Sequence, residues 1–355
     1  MLNLRLLANI INDAHIKGNK ALEGTNFADA INYMRDYADY LARYDSPSYV
    51  SSHIKRLLEE LSSVSHVEMF LNLKPNKQAL HDKTRDLTND FFAPSTAPVL
   101  TLPGGWANHN DDDNNHAMLY QFKMDKHGFV TLSVFNAGAG LEYHNKADTP
   151  DKSRYLAVKS FQIGHYKDIK QPHFQGFLKT LMYSKLPHLR QDDSNPEIDA
   201  DTFYKQIIPQ VYALNQQSQD QQSRVQAIQP PEVTTSGQLA GTCSQRALQQ
   251  YIKQAFDTLG EYQRFIFHYK LYVFKDYINN ALPQEQMLQA MVEQQLAHAR
   301  DELLRILNLP GLFSNSDKKM LWQQIDDCYQ KWLDNDKLIE GAPGLEKNSD
   351  DHHEN

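Results

Sequence analysis

Apolar residues recur at helical spacing through residues 1–92 and change to strand-like alternation after Pro98. Leu4, Leu7, Ile10 and Ile11, then Phe27, Ile31, Met34 and Tyr37, fall three or four positions apart, which places each set on one helix face. Asn26 is placed to cap the second helix and Asp45-Ser46-Pro47 to end it. A third helix is predicted from Val50 to about Val64, with Ile54, Leu57, Leu58 and Leu61 facing inward. The stretch Ala93-Pro94-Ser95-Thr96-Ala97-Pro98 reads as a linker or turn. Val99 to Leu102 then reads as a strand running into Pro103-Gly104-Gly105-Trp106, whose tandem glycines predict a tight turn, with the indole either exposed by it or anchored under a loop.

His116 to Lys123 and Phe129 to Phe135 form a predicted hairpin around the turn Asp125-Lys126-His127-Gly128. Arg154 to Ile163 predicts a further strand and Phe174 to Leu186 a short helix, whereas Phe203 to Leu214 is apolar without a clear period. Residues 215–229 are rich in Gln and Ser and precede Pro230-Pro231, the composition of a surface segment. Helices return over Ala247 to Leu259, Glu261 to Asn280, Pro283 to Leu307 and Asp317 to about Leu333. The aromatic density of the second of these predicts core. The expected fold class is α+β: a helical region over 1–92, an α+β core over 93–260, a helical region over 261–339 and a disordered tail over 340–355.

Bulk properties narrow the function classes. A net charge of -8 with no concentrated Lys/Arg block argues against nucleic acid as the main partner. No apolar run approaches the roughly 20 residues of a membrane span, and Met1 to Arg5 does not begin a Sec-type signal. Two cysteines, Cys243 and Cys328, make no disulfide framework and suit a reducing compartment. Asp111-Asp112-Asp113 lacks the spaced ligands of a calcium loop and reads as a solvated loop, so we expect neither metal nor cofactor.

The chemistry concentrates in two places. Ser236 to Arg246 is a small, polar, Gly-bearing stretch that delivers Cys243 to a predicted helix start, where aligned N–H groups favour thiolate over thiol. Gly241 leaves room for an approaching carbonyl, and the Gln238 amide is placed to donate to an oxyanion. In the hairpin, His116 opens one strand and Asn136 follows the other, so the two share its open end. An amide beside an imidazole is a base-plus-orienter arrangement.

The order His116, Asn136, Gln238, Cys243 resembles the cysteine proteases of the Ulp1/adenain type (clan CE), which cut SUMO, ubiquitin and related modifiers. The matching stretches are His116-Ala117-Met118-Leu119, Val134-Phe135-Asn136 and Gln238-Leu239-Ala240-Gly241-Thr242-Cys243. The resemblance covers roughly residues 97–260 and implies an Ulp1-like core, a small mixed sheet plus the helix carrying the cysteine, flanked by helical blocks like those of bacterial effectors acting in a host cytosol. It implies ubiquitin or a ubiquitin-like protein and its conjugates as partners, a His116–Asn136–Cys243 triad, Gln238 at the oxyanion, and Trp106, Gly105 and Gly241 along a narrow channel for a Gly-Gly tail. Three departures stand out. The family usually has Trp where this chain has Ala117, Asp where it has Asn136, and one more residue between Gln and Cys. Two other readings follow: an acyltransferase using the same residues, with Lys159, Lys167 and Lys170 as its basic positions, and a helical adaptor with a degenerate protease core that only binds. Oligomeric state is left open by the sequence.

Overall fold

The computed structural model describes residues 2–11, 26–43, 48–93, 98–108, 115–146, 154–190, 197–214, 227–228, 234–235, 243–280 and 289–340. It is a mixed α+β chain with helices on both faces of one antiparallel sheet. Four helices come first: α1 (Leu2–Ile11), α2 (Phe27–Arg43), α3 (Ser48–Asn72) and α4 (Lys77–Phe92). Asn26 caps α2 as its sequence predicts, accepting from the Asp29 N–H at 2.7 Å. Helix α3 runs eight residues past the predicted Val64, because Val67 and Leu71 continue its buried face.

The sheet comprises β1 (Val99–Trp106), β2 (His116–Met124), β3 (Phe129–Phe135), β5 (Val158–His165) and the two-residue edge β6 (Ala227–Ile228), in that order. A separate pair joins β4 (Tyr155–Leu156) to β7 (Thr234–Thr235). The β2–β3 turn closes as expected: Asp125 Oδ1 accepts from the His127 and Phe129 N–H groups at 2.8 and 2.9 Å.

The predicted turn at Pro103-Gly104-Gly105-Trp106 is instead strand, paired residue by residue with β2 up to Trp106↔His116. β1 has β2 on one side only, so a proline that cannot donate is tolerated there. Gly105 has φ +99°, and a Cβ on it would stand 2.1 Å from the His116 carbonyl oxygen. We therefore expect Gly105→Ala to cost about 2–3 kcal/mol, the strain of a non-glycine residue at positive φ plus loss of the last rung. Chemical denaturation of the variant checks this. An unchanged midpoint would mean that the rung adds nothing.

Alternation along the strands separates two cores. Met118, Tyr120, Phe122, Val130, Leu132 and Val134 face α4 and α5 (Gln171–Tyr183), where Phe91 stacks on Phe174 at 5.2 Å. Ala117, Leu119 and Phe135 face α7 (Cys243–Gln254). That second core also takes in α1, α2 and α3, then α8 (Leu259–Asn280), α9 (Gln289–Leu307) and α10 (Asn315–Glu340). Phe265, Phe267, Tyr269, Phe274 and Tyr277 of α8 are buried within it, and Tyr269 lies 5.4 Å from Tyr37. Lys270 Nζ donates to Ile11 O at 3.5 Å and pairs with Glu302 at 2.9 Å.

The ambiguous stretch after α5 is irregular for a reason. A short α6 (Ala200–Thr202) passes into a π-helical turn over Phe203–Ile207 and then a 3-10 segment over Ile208–Leu214. Pro209 supplies no N–H to continue an α ladder. The π turn sends Phe203 and Tyr204 onto the sheet face opposite α7.

Candidate functional site

His116 and Asn136 meet as the hairpin predicts. His116 Nε2 lies 2.8 Å from Asn136 Oδ1, and both residues are buried. Gly138 N–H donates to Asn136 Oδ1 at 2.9 Å, and Asn136 Nδ2 donates to Ala139 O at 2.8 Å. A carbonyl only accepts, so the amide has one orientation, and His116 Nε2 must carry the proton it shares with Oδ1. Asn136 Nδ2 also donates to the Tyr204 hydroxyl at 3.0 Å. Tyr204 in turn lies 2.8 Å from His144 Nε2, and His144 Nδ1 lies 2.9 Å from Leu156 O. Because Leu156 O only accepts, Nδ1 is the protonated nitrogen of His144 and Nε2 receives the Tyr204 proton. One directional chain thus runs from His116 through Asn136, Tyr204 and His144 to the backbone of β4.

That chain needs neutral imidazoles, and burial supplies them. Desolvation pushes both His116 and His144 down to about 4; the Asn136 bond and the Leu156 bond, respectively, oppose it. His116 Nδ1 is left as a lone pair with no hydrogen-bond partner among the described residues. The chain also accounts for Asn rather than Asp at position 136. A carboxylate would place an oxygen against Ala139 O, where the amide donates. Tyr204 and His144 escape a reading of spacing, since they lie 60 positions apart and Tyr204 links His144 to Asn136 only in the fold. The local signal is Gly140 at φ +85°, where a Cβ would stand 2.4 Å from the Tyr204 ring.

Cys243 is the first residue of α7 and half-buried. It opens on a cleft of about 340 Å³ whose walls include Ala117, Pro103, Ser244, Glu68 and Lys185. Ala117 is the β2 residue that lines this cleft. The helix is anchored at its other end: the Tyr251 hydroxyl donates to Glu60 at 2.6 Å and accepts from Gln121 at 3.0 Å.

The structure brings His116 and Asn136 together, but no hydrogen bond joins either to Cys243 among the described residues. By strand alternation His116 shares the face of Met118 and Tyr120, whereas α7 covers the face of Ala117 and Leu119. Of the two placements the sequence allows for the Trp106 ring, the structure has the buried one, 2% exposed. Opposite His116 in the ladder, it packs against that imidazole at 5.0 Å and against Phe203 at 5.5 Å. Gly105 lies in the same ladder, one rung away, opposite Ala117. Gln238 and Gly241, and the acidic run at 111–113, lie outside the described residues. Among the described residues no cluster of His, Cys, Asp and Glu is placed to hold a metal, and no helix is long and apolar enough to cross a membrane. Comparison of the chain with protein-family models, curated proteins and solved structures returns no match.

Proposed function

We propose that the chain is a cysteine hydrolase that cleaves the C-terminal peptide or isopeptide bond of ubiquitin or a ubiquitin-like modifier. The observation that carries this reading is the hydrogen bond from His116 Nε2–H to Asn136 Oδ1, which leaves Nδ1 as a base. Cys243 begins a helix that packs on the strand His116 opens, and the reaction requires the imidazole to turn from the opposite sheet face toward that helix start. In the proposed reaction Sγ of Cys243 attacks the carbonyl carbon and its proton passes to Nδ1 of His116. The C–N bond then breaks, and the same proton goes to the leaving amine. Water hydrolyses the thioester and restores the thiol. The Cys243 backbone N–H, at the helix start, and Gln238 are the oxyanion donors of this scheme.

A second reading is a protease-like core that binds a partner without cutting it. It is favoured by the burial of His116 and by its place on the sheet face opposite α7. The acyltransferase reading loses one of its three basic positions: Lys159 donates to Tyr143 O at 2.6 Å and sits over the rings of Phe161 and Tyr204.

Ubiquitin and SUMO probes bearing C-terminal electrophiles separate the first two readings. Wild type should form a covalent adduct with one probe. Cys243→Ala should form none, and His116→Ala should react at least about a hundredfold more slowly, the usual contribution of a general base. No adduct with any probe, together with normal alkylation of Cys243 by iodoacetamide, would remove the modifier as substrate and leave the binding reading. Capture at the wild-type rate by His116→Ala would remove His116 from the chemistry.

A further inference from the structure

The cleft that holds Cys243 also holds an amine and a carboxylate. Lys185 and Glu68 line it together with the thiol. Lys185 is held on a fixed turn after α5: the Ser184 hydroxyl lies 2.6 Å from both the Gly105 and Leu181 carbonyls, and Ser184 O accepts from the Ala107 N–H at 3.1 Å. Its ammonium reaches His116 O at 3.4 Å, at the opening of β2. Glu68 is committed elsewhere. Its two oxygens accept from the Phe27 and Ala28 N–H groups at 3.1 and 2.6 Å, closing the first turn of α2. Burial pushes the Lys185 amine down, and the charges of Cys243 and Glu68 push it back up. His116, by contrast, sits behind the strand and is neutral at physiological pH. A neutral imidazole supplies no counter-charge to a thiolate.

We propose that Lys185 is a positioning residue whose charge favours the Cys243 thiolate as the thiol proton passes to Nδ1 of His116 and from there to the leaving amine. The inference rests on reading Cys243 as the nucleophile. Among the described residues, three groups act on the cleft's charge: the Lys185 ammonium, the Glu68 carboxylate from α3 and the first turn of α7, while His116 contributes only its carbonyl oxygen. The amine and the helix start favour negative charge on Sγ, and the Glu68 carboxylate opposes them.

The test is the rate at which iodoacetamide alkylates Cys243 in the full-length protein between pH 6 and pH 9. The Cys243 peptide is quantified separately from that of Cys328. Lys185→Met should slow labelling at pH 7 about tenfold and converge on the wild-type rate toward pH 9, the effect of losing one nearby opposite charge. Lys185→Arg should restore most of the rate. A wild-type profile in Lys185→Met would overturn the proposal. If a circular dichroism melt shows that Met disrupts packing, the comparison passes to Lys185→Gln against Lys185→Arg, and equal rates in those two would count as refutation. Alkylation needs no protein substrate, so its outcome and the outcome of modifier capture are separate results.

Discussion

Asn136→Ala lowers the unfolding free energy by about 4–5 kcal/mol, the expected result of removing one buried amide that satisfies four groups at once. Asn136 accepts from His116 Nε2 and from Gly138 N–H, and donates to Ala139 O and to Tyr204. Its side chain is fully enclosed. Alanine leaves a buried N–H on His116, a backbone N–H at Gly138 and a carbonyl at Ala139 without their partner. Each such orphan costs about 1–3 kcal/mol, and a part is recovered where water enters. A shift of the urea midpoint at constant slope, with Asn136→Asp also strongly destabilised, is the outcome that supports the directional chain. An Asn136→Asp variant as stable as wild type would mean that the amide donors to Ala139 and Tyr204 carry little.

The second large effect is acid sensitivity well above the carboxylate range. His116 and His144 are held down to about 4, against an ordinary value near 6.5. Between pH 6.5 and pH 4 the unfolded chain therefore takes up protons that the folded chain refuses. Stability is complete above pH 6.5, falls as the pH falls through this window, and levels off once the folded imidazoles also protonate. The loss is about 3 kcal/mol per histidine, at roughly 1.4 kcal/mol for each pH unit. His268, also pushed down by burial, acts in the same direction. Unfolding free energies measured in urea from pH 7 to pH 5 check the slope, and the imidazole C2–H resonances of the folded protein should not move over that range. A flat stability profile would show that the two rings are solvated.

Much of the sheet is legible in the sequence because its signals are local. The alternation in His116 to Phe135 and the Asp125–Gly128 turn dictate the hairpin, and the hairpin dictates that His116 and Asn136 share one end. The helix start at Cys243 is legible for the same reason. Pro103-Gly104-Gly105 misleads because those residues usually serve turns. Here they serve clearance: a Cβ on Gly104 would stand 2.3 Å from the Tyr120 ring, and one on Gly105 would strike the His116 carbonyl. Lys185 is invisible to motif reading because its position follows from how Ser184 is pinned to the end of β1, a contact across 79 positions. The side of the strand on which His116 lies is written in its alternation with Met118 and Tyr120. Only the packing of α7 on Ala117 and Leu119 gives that side a meaning.

The shared core that joins both ends of the chain bears on how the protein is made. Tyr37 waits for Tyr269, Ile11 for Lys270, and Glu60 for Tyr251. A ribosome adding about 5–20 residues per second takes about ten to fifty seconds to cover that interval. During that time the apolar faces of α1, α2 and α3 have been synthesised but their covering helices have not. The nascent chain is thus a natural client for a holding chaperone, and truncated chains that stop before α8 leave those faces open to self-association.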